Sequence, residues 1–293
     1  MQIDAVFSGG GIKGYSLIGA YQVLQEKGFV IQRCAGTSAG SILAALILAG
    51  YTGKEIEELF IQLELEKFLD SRIVSNIPFL KWLILYKKLG LYKGDRLEAW
   101  MDGKLKEKGI STFGDLPKGS LRIVASDVTN GTIAVLPDDL GKYHYDDETF
   151  SIAKAVRMSC SVPYFFEPVN LKSKKHPLYI VDGGVLSNFP MWLFDQENVK
   201  KLRPVLGIKL SGSKEELPPR KILNAIQMFG ALFETMKDAH DNRYISRKHE
   251  KNIIFIPNQD TILLDMDIEI EKKKKLIQTG RSSAQQFLRS WTY

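Results

Sequence analysis

From the first residues onward, short runs of consecutive apolar residues alternate with longer stretches in which apolar residues recur at helical spacing. That alternation predicts βαβ units and a largely parallel sheet covered by helices. Ile3 to Phe7 reads as a buried strand, the glycine-rich segment Ser8 to Gly14 as a turn, and Tyr15 to Lys27 as a helix that Gly28 ends in a left-handed cap. Val30 to Ala35 is the next strand, Gly36 to Gly40 a tight turn, and Ser41 to Ala49 a helix apolar all round and therefore central. Leu121 to Ser126 and Thr132 to Leu136 read as strands of a hairpin turned at Asn130-Gly131, a pair suited to positive backbone angles. Leu178 to Val181 is a short buried strand ending at Asp182; Val205 to Leu210 and Ile253 to Ile256 are later strands. A helical stretch from about Lys221 to Ala239 separates those two, and a final helix runs from about Glu269 to Trp291. The polar loops Pro137 to Asp147 and Ser211 to Arg220 are too short and too unbiased for interdomain linkers, so residues 1–293 are expected to form a single domain.

Composition adds bounds rather than identity. The chain has 293 residues, 44% of them hydrophobic, enough for a large core. The N-terminus lacks the basic, apolar and cleavage-site succession of a signal peptide, and the longest apolar run, Ile42 to Ala49, is too short to span a bilayer, which predicts a cytoplasmic protein. Cys34 and Cys160 follow no metal spacing and read as buried free thiols. An excess of 40 basic over 34 acidic residues gives +6, but Lys87-Lys88, Lys174-Lys175 and Lys272 to Lys275 are scattered short runs and are expected to be solvated surface. No nucleic-acid-binding motif accompanies them.

The chemistry gathers at three places. Gly36-Thr37-Ser38-Ala39-Gly40 is G-x-S-x-G between a predicted strand and a predicted helix, the context of a nucleophile elbow; the alternative is a serine that only caps the following helix. Gly9, Gly11 and Gly14 satisfy a dinucleotide-type G-x-G-x-x-G, yet the second strand ends in Gly36-Thr37-Ser38 instead of a ribose-binding acid, and Tyr15 stands where a phosphate loop needs lysine. An oxyanion hole of backbone N–H groups is the reading left for that loop. A serine nucleophile needs a base. The four histidines, His144, His176, His240 and His249, lie in polar or charged surroundings, whereas Asp182 closes an apolar strand and precedes Gly183-Gly184, at the carboxyl edge of the expected parallel sheet. Its alternative is a turn aspartate.

Ser8-Gly9-Gly10-Gly11-Ile12-Lys13-Gly14, then Gly36 to Gly40, then Asp182-Gly183-Gly184 with Asn188 and Pro190, resembles the patatin-like phospholipase family in that family's order. Val156 to Pro163 with Phe166 and Pro168 is similar to the family's A-S-x-x-x-P segment, and Leu263-Leu264 through Leu276, Gly280 and Phe287 to Trp291 to its closing region. The resemblance implies a three-layer α/β/α fold with a central, mostly parallel sheet, a catalytic core over residues 4–196 and a C-terminal region, 197–293, that completes it. It implies a lipid acyl hydrolase with Ser38 and Asp182 as a catalytic dyad, oxyanion donors from Gly9, Gly10, Gly11 and Ala39, and Lys13, Gly14, Gly36, Gly40, Gly183 and Gly184 in support. No cofactor or metal is implied, the partner is a lipid ester substrate, and the oligomeric state stays open. An aspartate near its ordinary pKa of about 3.9 is a poor base for a hydroxyl, so the dyad requires an apolar surround. Ile77 to Tyr86, interleaved with Lys81 and flanked by Lys87, Lys88 and Lys93, reads either as a lid at a membrane interface or as a core helix. A lipid-binding protein without turnover and an esterase with a Ser38, Asp182 and histidine triad remain the alternatives.

Overall fold

The computed structural model describes residues 1–70, 85–171, 176–194, 202–211, 222, 228, 230–236, 250–257 and 268–292. Its strands are β1 (Gln2–Phe7), β2 (Val30–Thr37), β3 (Gly90–Tyr92), β4 (Leu121–Asp127), β5 (Thr132–Leu136), β6 (Tyr164–Phe166), β7 (Val169–Leu171), β8 (Leu178–Asp182), β9 (Val205–Ser211) and β10 (Ile253–Pro257). The helices are α1 (Tyr15–Glu26), α2 (Ala39–Leu48), α3 (Gly53–Gln62), α4 (Asp95–Glu107), α5 (Ile152–Ser159) and α6 (Ile270–Ser290). Among the described residues no helix is long and apolar enough to cross a membrane.

The main sheet runs β10-β9-β1-β2-β4-β8-β7, with β5 also paired to β4; β3 and β6 form a separate parallel pair. From β10 to β4 every pairing is parallel, and β5, β7 and β8 are antiparallel to their neighbours. The expected three-layer α/β/α class with a mostly parallel sheet is thus the class observed. The strand carrying Asp182 differs from expectation: β8 runs antiparallel to β4, and β7, joined to β8 by a short connection, pairs with it in reverse.

Successive residues of β1 serve opposite faces. Ile3, Ala5 and Phe7 join the larger core under the helices, while Val6, with Ala35 from β2, packs against Phe189, Met191 and Phe194 on the other side. On the larger side α1, α2 and α5 lie on the sheet, and α3 packs on α1. The caps follow local chemistry: Thr52 and Glu55 form a reciprocal capping box at the start of α3, and the Ser151 hydroxyl accepts the Lys154 N–H at the start of α5. Gly28 after α1 and Gly131 in the β4–β5 hairpin have positive φ, as the sequence requires. Of the predicted stretch Lys221 to Ala239, residues 231–236 are helical; most of the remainder, most of the polar loop Ser211 to Arg220, and Leu263-Leu264 lie outside the described residues.

Helix α6 seats on α1 through two glycines. A Cβ on Gly280 would stand 1.8 Å from the Ser16 carbonyl oxygen, and one on Gly19 would stand 1.9 Å from that of Ile277, so the two backbones touch. Gly280→Ala is therefore expected to cost at least about 1 to 3 kcal/mol by overpacking, seen as a Tm lower by several degrees in a thermal melt. Gly103→Ala, where an added Cβ meets nothing within 4 Å, is the control that should not lower it.

Candidate active site

Ser38 stands at the turn from β2 into α2 with φ 51° and ψ −124°, a conformation seldom adopted by a residue with a side chain. The flanking glycines are sterically required. A Cβ on Gly36 would lie 2.3 Å from the Gly40 carbonyl oxygen, and one on Gly40 would lie 2.4 Å from that of Phe7. Ser38 precedes the first residue of α2, but its side chain makes no capping hydrogen bond, so the helix-cap alternative does not describe it. Its carbonyl accepts from the Ser41 N–H at 2.8 Å and the Ser41 hydroxyl at 2.6 Å, and its own N–H donates to the Ser159 hydroxyl at 2.8 Å.

The glycine-rich loop lies directly against this turn. Ser8 anchors it, donating its N–H to Ile208 and accepting from the Leu210 N–H, both at 3.0 Å. A Cβ on Gly9 would come within 3.2 Å of the Ser38 Cβ, and one on Gly14 within 2.7 Å of the Ala39 Cβ. Gly9, expected among the oxyanion donors, has its N–H committed to the Asn188 carbonyl at 3.0 Å; what it supplies is room. The amides of Gly10, Gly11 and Ala39 make no hydrogen bond among the described residues. Lys13 is nearly buried and pairs with Glu234 at 3.0 Å, tying the loop to residues 230–236.

Asp182 reaches the same place from the other direction. Along one edge of β4, Thr37 lies opposite Val124 and Asp182 opposite the next residue, Ala125, so the carboxyl ends of β2 and β8 meet head to head. Asp182 is 1% exposed. Its N–H donates to the Ser161 carbonyl at 2.8 Å, and its Oδ1 accepts the Gly184 N–H at 2.7 Å, so the turn role is present alongside the position at the sheet edge. A Cβ on Gly183 would meet the Val124 oxygen at 2.3 Å and Thr37 Cγ2 at 2.8 Å; one on Gly184 would meet Asp182 Oδ1 at 3.0 Å and the Phe233 ring at 3.3 Å. Segment 159–161 touches both sides of the site, through Ser159 to Ser38 and through Ser161 to Asp182. Cys160, between them, is a buried free thiol whose pKa is pushed up to about 12, chiefly by burial and then by the charge of Asp182, with hydrogen bonds to Ser41 and Ser38 pulling the other way. His144 and His176 are exposed, and His240 and His249 lie outside the described residues.

A cavity of about 120 Å³ opens from Ser38, Ala39, Gly11 and Cys160 into an apolar interior formed by α1, α2, the end of α3, and α4. Tyr15, Phe60, Trp100 and Phe68 line it as a chain of edge-on ring contacts with centroids 5.7, 5.9 and 5.5 Å apart. Lys273 of α6 holds that wall from behind: its ammonium donates to the carbonyls of Phe60, Ile61 and Leu63 at 3.4, 3.2 and 2.7 Å, and burial lowers its pKa. Of this wall the sequence predicts only the helix bearing Tyr15. Residues 53–62 and 95–107 lie between the second turn and the hairpin, a stretch in which the sequence reading names only Ile77 to Tyr86.

The chain is similar to known proteins over most of its length. The family described as "Patatin-like phospholipase" matches residues 5–195. The uncharacterized protein YqhO of Bacillus subtilis (strain 168) is 54% identical over 100% of both chains. "Probable lipid hydrolase 463L" of Invertebrate iridescent virus 6 is 28% identical over 64% of this chain and 61% of its own. The crystal structure of VipD from Legionella pneumophila is similar in fold, with TM-score 0.59 and 20% identity over 99% of this chain and 67% of that one.

A thiol buried with a pKa near 12 is protonated and shielded at neutral pH. Cys160 and Cys34 are expected to resist iodoacetamide at pH 8 in the folded protein and to be alkylated together on unfolding, as read by intact-mass spectrometry.

Proposed function

Because the chain belongs to the patatin-like phospholipase family, we propose that it is a lipid acyl hydrolase that cleaves carboxylic esters with Ser38 as nucleophile and Asp182 as base. The observation that carries this reading is the apolar cavity that ends at the Ser38 turn, beside amides that have no partner among the described residues. An acyl chain fills such a cavity without leaving polar groups unpaired, and its carbonyl then lies at the strained serine. The name of the iridescent-virus relative, a probable lipid hydrolase, agrees.

In the proposed reaction Asp182 accepts the Ser38 hydroxyl proton as Oγ attacks the ester carbonyl. The tetrahedral oxyanion takes hydrogen bonds from the N–H groups of Gly10, Gly11 and Ala39, which need no reorganisation to receive it. Collapse breaks the bond to the alcohol, which leaves with the proton held by Asp182. Water then gives Asp182 a proton while its oxygen adds to the acyl-enzyme carbonyl, and collapse breaks the bond to Ser38 Oγ, which takes that proton back from Asp182 as the fatty acid leaves. The near-complete burial of Asp182 supports this reading.

Peripheral contact with a bilayer belongs to the same reading. Residues 77–84 of the segment Ile77 to Tyr86 lie outside the described residues, but 85–88 are helical and Tyr86 is 82% exposed, next to exposed Lys87 and Lys88 and followed by exposed Leu89. An aromatic, an aliphatic and two cations side by side suit an anionic interface.

Ser38→Ala and Asp182→Asn are each expected to lower kcat by roughly 10³-fold or more, measured as fatty-acid release from mixed phospholipid micelles. Ser38→Ala should also abolish labelling by a fluorophosphonate probe; retained turnover in either variant refutes the dyad, and a wild type that binds lipid but never labels indicates a binding protein. In a flotation assay with anionic vesicles, Tyr86→Ser combined with Lys87→Ala and Lys88→Ala should reduce the bound fraction, and unchanged binding removes this patch from the interface.

A further inference from the structure

The parallel ladder between β2 and β4 has a defined step. Cys34 donates its N–H to the Ser120 carbonyl at 2.7 Å, with Cys34 opposite Leu121 and Thr37 opposite Val124. Parallel pairing advances two residues per rung, so the following rungs set the Gly36 N–H against the Arg122 carbonyl and the Ser38 N–H against the Val124 carbonyl. That last rung is not closed directly. The Ser159 hydroxyl stands in it, accepting from the Ser38 N–H at 2.8 Å and donating to the Val124 carbonyl at 2.6 Å. Ser159 is fully buried and is the last residue of α5, two positions before the Ser161 carbonyl that holds the Asp182 N–H.

From this we infer that Ser159 is a positioning residue for the reaction: its hydroxyl is a one-atom spacer in the β2–β4 ladder that satisfies both backbone groups while keeping Ser38 from continuing the strand. Without it the buried Ser38 N–H and Val124 carbonyl lose the partner they share, and they face each other across the rung that parallel pairing would close. Closing that rung draws Ser38 toward strand geometry and turns its side chain away from the cavity. The inserted hydroxyl therefore does at the backbone what the flanking glycines do sterically, and it links the aim of Ser38 to the segment that also fixes Asp182. This inference rests on the reading of Ser38 as nucleophile.

The test compares wild type, Ser159→Ala and Ser159→Cys, with Ser38→Ala as reference, by steady-state hydrolysis of a p-nitrophenyl acyl ester, the rate constant of fluorophosphonate labelling, and Tm. Displacing a reacting group by about 1 Å costs on the order of 100-fold. Ser159→Ala should lose about that factor in kcat and in labelling rate per folded molecule, with KM within about threefold. Ser159→Cys keeps the shape but lengthens both hydrogen bonds, and should fall between the two. A residue of purely structural importance would lower Tm and the yield of folded enzyme while leaving the labelling rate of the folded fraction unchanged, and that result overturns the inference, as does a rise in KM at constant kcat. Should Ser159→Ala fail to fold, Ser159→Cys decides: wild-type kcat and labelling rate reject the role. Turnover surviving in Ser38→Ala would instead be a failure of the nucleophile assignment, whereas an inactive Ser38→Ala beside a fully active Ser159→Cys removes only the role of Ser159.

Discussion

A strand has two edges, and what happens along one edge of β4 governs the site. Antiparallel β5 occupies one side of residues Ile123 to Asp127 throughout. On the other side β2 pairs only as far as Val124, and β8, coming from the opposite direction, takes over at Ala125. Two strands sharing one edge must stop where they meet, and both chains must leave the sheet there. The departure of β2 makes the Ser38 turn; the departure of β8 makes the Asp182 turn. A hydroxyl-bearing and a carboxyl-bearing residue, 144 positions apart in the chain (182 − 38), are brought together by hydrogen-bond geometry before any side chain is considered.

Such a junction leaves backbone groups without ladder partners, and the way they are satisfied separates scaffold from chemistry. Those pointing into the protein are claimed: the Ser38 N–H by Ser159, the Asp182 N–H by Ser161, the Gly9 N–H by Asn188. The N–H groups of Gly10, Gly11 and Ala39 are not claimed by any described residue, and Gly11 and Ala39 border the cavity. Gly10 is buried, Ala39 half-buried and Gly11 exposed, and buried backbone donors are seldom left idle. Their concentration at the mouth of an apolar cavity, beside a serine held at positive φ, gives the proposed acyl-transfer chemistry its physical basis.

Much of this was legible in the sequence because it rests on local rules. The order β1, glycine-rich loop, α1, β2, serine turn, α2 follows from hydrophobic runs and from glycines placed where backbone segments crowd, and Asn130-Gly131 sufficed for the β4–β5 hairpin. What stayed hidden depends on register between distant segments. The antiparallel direction of β8 shows only in its pairings with β4 and β7, the latter a strand of three residues with no pattern of its own. That Gly9 contributes space instead of an N–H depends on Asn188, 179 residues further along (188 − 9). Ser159 lay inside a segment that resembled the family, but nothing in its neighbours says that its hydroxyl enters a ladder between β2 and β4. The cavity walls α3 and α4 are amphipathic helices rich in charged residues, whose apolar stripe acquires meaning only when it closes over α1 and α2.

The clasp formed by Lys273 carries a consequence for how the molecule is made. Three carbonyls at the end of α3 are gathered by one ammonium that lies 210 residues later than Leu63. During synthesis the serine turn and its glycine loop leave the ribosome long before that ammonium exists, so a nascent chain holds its proposed reactive groups next to a cavity whose outer wall is not yet fastened. The Lys273 clasp is added to the packing of α3 on α1 when α6 docks through the Gly19–Gly280 crossing. The fastening of the cavity wall is in this way tied to the docking of α6 and not to the segments that carry Ser38 and the glycine loop.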